Sequence, residues 1–189
     1  MLLGLVLISA CAGRQPEFLR LESEIEPICS VAVLPFVNDS RFDQGEIGVQ
    51  RIMVAALTEF PDLKIAGEGD VRGLYRELRI FPGKQPGVEQ RQIIGSRLEV
   101  QALIAGKIIR MDEERKGGEI NPVLELQLQV FDADSGQTMW TTFHRRHGRD
   151  FRKLMHFGLI NTVSELAKVM AEEIYLEWQR KGFAQCEKE

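Results

Sequence analysis

A strict alternation of apolar and polar side chains in the second half of the chain constrains the fold most. Leucine or valine occupies every second position from 124 to 130, and Glu or Gln fills the positions between them. A strand that alternates in this way turns one face to a core and the other to water. The turn residues Asp134-Ser135-Gly136 follow, and residues 137–145 are expected to return as the partner strand. We therefore predict an antiparallel β-hairpin here.

Further strands and helices are predicted on both sides of this hairpin. Short branched apolar runs predict strands, and apolar residues at helical spacing predict helices. Their order predicts an α/β fold: a mixed β-sheet of about four to five strands, packed by helices, with a long C-terminal helix. The predicted strands are 30–36, 63–66 and 100–111, and the predicted helices are 47–60, 71–78, 88–98 and a final one from 150 toward 178.

Several local details accompany these elements. Gly106 interrupts the strand 100–111, which predicts a bulge or a close backbone approach. The charged segment 112–118 is predicted to be a loop. Asp70 is the expected N-cap of the helix 71–78, and Asp150 that of the final helix. Val88, Ile93 or Ile94, and Leu98 are expected to face inward in the helix 88–98, as are Phe151, Leu154 and Leu159 in the final helix.

The N-terminus carries an apolar run that ends at a cysteine. Residues 2–10 are too short to span a bilayer but have the length of a signal-peptide core. Ile8-Ser9-Ala10-Cys11 has the form of a lipobox, which predicts diacylation of Cys11 and membrane attachment. No Lys or Arg precedes Leu2, so we expect the natural start to lie upstream or the chain to have been trimmed. The alternative is a buried apolar strand with an incidental cysteine.

This signal divides the chain into three predicted parts. Residues 1–11 are the signal peptide ending at the lipidated cysteine, 12–29 a tether, and 30–189 a single periplasmic α/β domain. The chain is 44% hydrophobic and 28% charged, which suits one domain with a core of its own. Its net charge of −4, without a dominant basic segment, argues against nucleic acid as a partner.

The other two cysteines are Cys29 and Cys186. With Cys11 acylated they remain as a pair, and disulfides persist in exported proteins. A bridge would connect the two ends of the domain; the alternative is two unrelated free thiols.

Residues of catalytic or metal-binding type do not form a recognisable set. His144, His147 and His156 have no Cys or carboxylate cluster to complete a metal site, so we expect surface histidines. Neither a nucleophile elbow nor a phosphate-binding loop occurs, so we expect no catalytic residues, no metal and no cofactor. Trp140 and Phe143 lie on opposite faces of the predicted strand 137–145. An exposed Trp140 would serve as a membrane or subunit anchor; the alternative is that both are buried.

Two blocks of sequence resemble a known superfamily. They resemble bacterial envelope lipoproteins that include CsgG, LpoB, the N-terminal domain of TolB and PelC, over residues 30–174. The second block resembles the PelC-like members most. The first block is Val31-Ala32-Val33-Leu34-Pro35-Phe36 with Asn38 and Ser40; the second is Ala105-Gly106, Gly118-Glu119, Pro122 and Asp132-x-x-Ser135-Gly136-Gln137-x-x-Trp140.

The resemblance implies a non-enzymatic lipoprotein on the periplasmic face of the outer membrane. It implies a homo-oligomeric ring that guides an exopolysaccharide toward an outer-membrane pore protein, with an acidic inner surface suited to a cationic polymer. The chain lacks the long insertions with which CsgG builds a pore, so the pore would come from another protein. The alternatives are an LpoB-like activator of a peptidoglycan synthase, another CsgG-like secretion or assembly lipoprotein, and a polymer hydrolase. LpoB-like activators carry a long reach, whereas a tether of 12–27 extends about 50–60 Å.

Overall fold

Within residues 16–20, 27–116, 118–153 and 158–186, which the computed structural model describes, seven strands form one mixed sheet. Their order is β1-β7-β6-β5-β2-β4, and β3 lies beside β5. The predicted fold class is confirmed, with more strands than expected. The strands are β1 (Glu17–Arg20), β2 (Ser30–Val33), β3 (Val37–Asn38), β4 (Lys64–Ile65), β5 (Ala102–Lys116), β6 (Glu119–Asp132) and β7 (Thr138–His147); the helices are α1 (Gly45–Leu57), α2 (Glu68–Glu77), α3 (Val88–Leu98) and α4 (Val163–Arg180).

The helices cover the two faces of the sheet unequally. Helices α1 and α4 bury the apolar side of the long strands, including every leucine and valine of the alternating segment 124–130. Helices α2 and α3 cover a smaller core on the opposite face, around Leu34, Leu103 and Phe131. In α3 the inward residue is Ile94, which is fully buried, whereas Ile93 and Val88 are exposed. The polar residues between the leucines of β6 lie on the opposite face.

Strand β1 falls within the segment predicted to be a tether. Glu17–Arg20 pairs antiparallel with β7, so the predicted tether 12–29 is wrong over these four residues. The strand forms because Phe18 faces the main core, where its ring centroid lies 5.9 Å from that of Trp140. The sequence pattern did not predict this strand, because its outward-facing residues, Glu17 and Leu19, are one polar and one apolar.

The β5–β6 hairpin is longer than predicted. Strand β5 continues through most of the charged segment 112–118, pairing with β6 as far as Lys116 opposite Glu119. The predicted loop is therefore wrong. Cross-strand bonding replaces apolar burial there, and an ion pair of 2.7 Å between Arg110 and Glu114 accompanies it. A ribbon that is wet on both faces needs no alternation, which is why its sequence resembles a loop.

Two predicted helix starts are also wrong. Helix α2 begins at Glu68 after Gly67, which places Asp70 in its first turn rather than at the cap. Helix α4 begins after Thr162, whose hydroxyl accepts a hydrogen bond from the Glu165 N–H. Asp150 instead lies in a 3₁₀ turn (Gly148–Phe151), where it accepts from the His147 N–H. Phe151 and Leu159 thus precede the helix, and Leu154 lies outside the described residues.

Gly106 permits a close approach, which an aromatic ring makes rather than a second backbone. A Cβ atom at this position would overlap the ring of Phe36, which is 3% exposed. The bulge in β5 lies further along, between Ile108 and Arg110.

Replacing Gly106 with alanine is expected to destabilise the domain by about 2 kcal/mol, because overpacking displaces a buried ring. The free energy of unfolding in urea measures this. Gly48→Ala is the matched control: Gly48 is an exposed helical glycine whose added Cβ meets nothing within 4 Å, so this change is expected to be neutral or stabilising. Equal effects of both changes would contradict the packing argument.

Candidate functional site

The start of β1 limits how far the predicted anchor, Cys11, can lie from the sheet. Cys11 lies outside the described residues, so its acylation stays a prediction. Strand β1 begins at Glu17, six positions after Cys11. Six extended residues span about 20 Å, far less than the 50–60 Å expected for the whole tether. An acyl group on Cys11 would therefore hold the β1 edge of the sheet close to a membrane.

A disulfide joins Cys29 to Cys186, with Cα atoms 5.6 Å apart. It connects the residue before β2 to the segment after α4. The same two segments meet in a bridge between Ile28 and Phe183, and the Ala184 N–H donates to the Ile28 carbonyl at 3.2 Å. The bond therefore fastens a C-terminal segment that already contacts the start of β2.

Trp140 lies inside the core at 2% exposure, so its proposed role as an exposed anchor is wrong. Its face of β7 packs against α4, and its ring meets those of Trp178 and Phe183 edge-on at 5.7 and 6.2 Å. The pleat of the strand decides this, since Trp140 shares a face with the buried Thr142 and His144. Phe143, on the other face, is half-buried.

His144 is also buried, so the expectation of a surface histidine is wrong for this residue. It is 2% exposed, and its Nε2 lies 2.6 Å from Glu173 Oε2 on α4. Arg146 completes the cluster: its Nε donates to Glu173 Oε2 at 2.9 Å, and a second guanidinium N–H donates to Oε1. His147 is half-buried with Nδ1 3.8 Å from Asp150 Oδ2, and His156 lies outside the described residues.

Electrostatics in this cluster favour a charged Glu173. Burial opposes ionisation of the carboxyl, but the hydrogen bonds from His144 and Arg146 and the Arg146 charge outweigh it and lower the pKa of Glu173. All three side chains satisfy one another between β7 and α4. The cluster is therefore a structural contact, and no signal in the local sequence pairs residues 27 and 29 positions apart.

A shallow cleft of about 440 Å³ lies where β3 meets the start of α1. Asn38 organises its loop: its Nδ2 donates to the Phe42 carbonyl and to Glu46 Oε2 at 2.8 and 2.9 Å. Its Oδ1 accepts from both the N–H and the hydroxyl of Ser40. These groups are occupied in holding the loop, and Phe42, which lines the cleft, is 38% exposed.

The described residues contain neither a metal-ligand cluster nor a membrane-spanning helix. Among the described residues, no three His, Cys, Asp or Glu side chains are placed to hold one metal ion. No helix within those ranges is both long and apolar enough to cross a bilayer.

Several basic residues lie together at one corner of the sheet, contrary to the expectation that no block of Lys and Arg accumulates on one segment. Arg145, Arg149, Arg152 and Lys153 lie between the end of β7 and the residues after the 3₁₀ turn. Arg145 and Arg152 face carboxylates of β6 at 3.7 and 2.8 Å. Arg149 and Lys153 are exposed and make no ion pair with any described residue. The signal is present in the sequence, since five of the nine residues from 145 to 153 are Lys or Arg.

No family model matches the sequence, and neither does any curated protein. Solved structures do match the fold. Lipoprotein GNA1162 from Neisseria meningitidis has a TM-score of 0.57 at 12% identity, covering 80% of this chain and 99% of its own. The PelC dodecamer from Paraburkholderia phytofirmans has a TM-score of 0.55 at 13% identity, covering 85% and 95%.

A third structure is the C-terminal domain of LpoB from Salmonella enterica. Its TM-score is 0.50 at 11% identity, and the match covers 65% of this chain and 84% of that one. These likenesses establish the fold. The resemblance seen in the two sequence blocks is therefore supported at the level of architecture, where PelC, LpoB and GNA1162 are all neighbours of this chain.

Proposed function

We propose that this chain is a non-catalytic lipoprotein of the bacterial envelope, acylated on Cys11, which assembles with copies of itself in an exopolysaccharide-export complex. The match to PelC carries the proposal, because it spans nearly the whole of both chains and that protein forms a dodecamer. In this proposal the domain lies on the periplasmic face of the outer membrane. A separate outer-membrane pore protein and the polysaccharide are its partners.

The short connection to Cys11 supports this role. A ring that delivers a polymer to a pore has to lie against the membrane that contains the pore. A limit of about 20 Å between Cys11 and Glu17 keeps the domain there. The same limit disfavours a protein that must reach across the periplasm.

A non-catalytic role agrees with the chemistry of the described side chains. In the cleft, Glu46 and Ser40 are engaged by Asn38, and Glu173 is engaged by His144 and Arg146. Neither arrangement leaves a free acid beside a base, as general acid–base catalysis requires.

The oligomer is the first expected result. Full-length acylated protein, extracted in mild detergent, is expected to sediment as one defined assembly many times larger than the 21.5 kDa chain. Sedimentation velocity over a hundredfold range of concentration measures this. A particle that stays monomeric throughout would contradict the proposal.

LpoB-like activation is the second candidate, favoured by the match to the LpoB C-terminal domain. It is distinguished by adding the protein to a purified peptidoglycan synthase and measuring glycan polymerisation. The export proposal expects no change in rate, whereas stimulation by a monomeric protein would favour the activator.

A further inference from the structure

We infer that the corner formed by the start of β1, the end of β7 and the 3₁₀ turn rests on the membrane, where its exposed cations contact the phosphates of anionic lipids. This inference rests on the proposed acylation of Cys11 and adds the orientation of the domain. The occupant of the surface is a lipid bilayer that carries negative headgroups.

Strand topology brings the anchor to this corner. Because β1 runs antiparallel to β7, the N-terminal end of β1 lies at the same end of the sheet as the C-terminal end of β7. Glu17 stands opposite Phe143, and Pro16 precedes it at the end of the sheet where β7 leads into the 3₁₀ turn that holds Arg149. Arg149 lies six positions after Phe143: four along β7 to His147, about 13 Å, and two into the 3₁₀ turn. The roughly 20 Å reach of the Cys11 segment covers this distance, so an acylated Cys11 would lie on the same side of the domain as the cations.

Charge at the corner suits an anionic surface. Arg149 and Lys153 project without an ion-pair partner among the described residues, and the Arg145 and Arg152 side chains are over a third exposed despite their carboxylate contacts. Asp150 and Glu17 are exposed acids at this corner, and neither forms an ion pair with Arg149 or Lys153; Glu119 is engaged by Arg152. The two unpaired cations therefore remain available to lipid.

The anchor makes this weak attraction effective. A cation near an anionic bilayer strengthens binding about fivefold, within a Debye length of about 8–10 Å. Two such residues alone would bind weakly, but an acyl tether confines the corner to the surface and makes the contact intramolecular. The domain would thereby hold one orientation instead of tumbling on its tether.

The orientation is tested with single fluorescent labels on full-length acylated protein in vesicles of phosphatidylethanolamine and phosphatidylglycerol. Asn161 is exposed beside Ile160, whose N–H donates to the Gly148 carbonyl, so Asn161→Cys places a label at the corner without removing a cation. Asp134→Cys labels the β6–β7 turn, about 30 Å away at the other end of β7. With Cys11 acylated and Cys29 bonded to Cys186, the introduced thiol is the one that reacts.

Nitroxide lipids are expected to quench the label at 161 strongly and the label at 134 little. Reversing both cations, Arg149→Glu with Lys153→Glu, is expected to weaken this contact at least about 25-fold, or about fivefold for each cation lost. The matched control reverses two exposed cations elsewhere, Lys64 on the opposite edge strand and Arg76 on α2, and is expected to leave quenching unchanged. An unchanged melting temperature shows that the variants fold.

Other outcomes overturn the inference in distinguishable ways. Equal quenching at 161 and 134, or equal effects of the two double reversals, removes the membrane-facing corner and leaves the oligomer proposal standing. If mass spectrometry finds no acyl chains on Cys11, both the membrane-facing corner and the proposed function are contradicted. Quenching that persists in vesicles of phosphatidylethanolamine alone, or in 1 M salt, would also contradict the lipid-phosphate contact, since such salt shortens the Debye length to about 3 Å.

Discussion

Replacing Cys29 and Cys186 together with serine is expected to lower the free energy of unfolding by about 5 kcal/mol, the largest change anticipated for this chain. The bond closes a loop with a sequence separation of 157 residues, and the entropy that it removes from the unfolded chain grows with the logarithm of loop length. At two to four degrees for each kcal/mol, the melting temperature should fall by about 10 °C or more. Urea unfolding followed by tryptophan fluorescence measures it, since Trp140 and Trp178 are both buried.

Reduction of the native protein provides the control for this variant. Dithiothreitol should destabilise the native chain by a similar amount and leave the double serine variant unaffected. A loss below 1 kcal/mol would mean that the contacts of Phe183 and Ala184 with Ile28 hold the C-terminal segment without the bond. The oligomer in the export proposal should then also survive reduction.

Glu173→Gln is expected to cost about 2–3 kcal/mol at neutral pH. The change leaves Arg146, which is 6% exposed, without its counter-charge, and it replaces charge-assisted hydrogen bonds with weaker ones. The value lies below that of a fully buried ion pair because the Glu173 side chain is about one quarter exposed. Glu172→Gln is the matched control. Glu172 adjoins Glu173 on α4 but is exposed, so this substitution should change the free energy of unfolding by less than about 0.5 kcal/mol.

The pH dependence gives the same contact a second measurement. The pKa of Glu173 is lower in the folded state than in the unfolded chain, where it has its ordinary value of 4.5. Near pH 4.5 the unfolded chain therefore binds more protons at this residue than the folded protein does. Its contribution is complete above that value and is lost as the pH falls through the lowered pKa. The stability gap between native protein and Glu173→Gln should therefore narrow in acid. A gap that stays constant from pH 7 to pH 3 would show that the cluster acts through packing alone.

Of the two contacts, the Glu173 cluster is the one next to the proposed membrane corner. Arg146 lies on the same strand as Arg145 and directly before the 3₁₀ turn, so the Glu173 cluster fixes the end of β7 against α4. Glu173→Gln is therefore also expected to weaken the packing of the end of β7, which leads to Arg149 and Lys153. Trp140 lies near the other end of β7, inside the core.

Local periodicity explains how much of the fold was predictable. Alternation over 124–130 gave β6 and its buried face, and helical spacing gave the inward stripe of α4 from Val163 to Trp178. A buried face places an apolar residue at every second position of a strand, or at every third to fourth position of a helix. One segment can show this pattern on its own. Where burial is absent, as in the charged ribbon at the end of β5, that pattern is missing and the prediction failed.

Parts of the candidate site followed from the sequence in the same way. The apolar run that ends at Cys11 predicts the anchor, and the resemblance of two sequence blocks pointed to the architecture that PelC and LpoB structures share. Elimination among three cysteines left Cys29 and Cys186 as the pair, but only their positions in space bring the Cα atoms within 5.6 Å.

The sequence by itself determined the buried faces of β6 and α4, because side-chain periodicity is a local property. Tertiary structure alone decided that Glu17–Arg20 joins the sheet, that Trp140 is enclosed and that His144 and Arg146 meet Glu173. Each of these is a pairing between residues at least 27 positions apart, and such a pairing depends on how strands and helices pack. Glu17 at the start of β1 lies six positions from Cys11, and Arg149 and Lys153 are exposed beyond the end of the neighbouring β7.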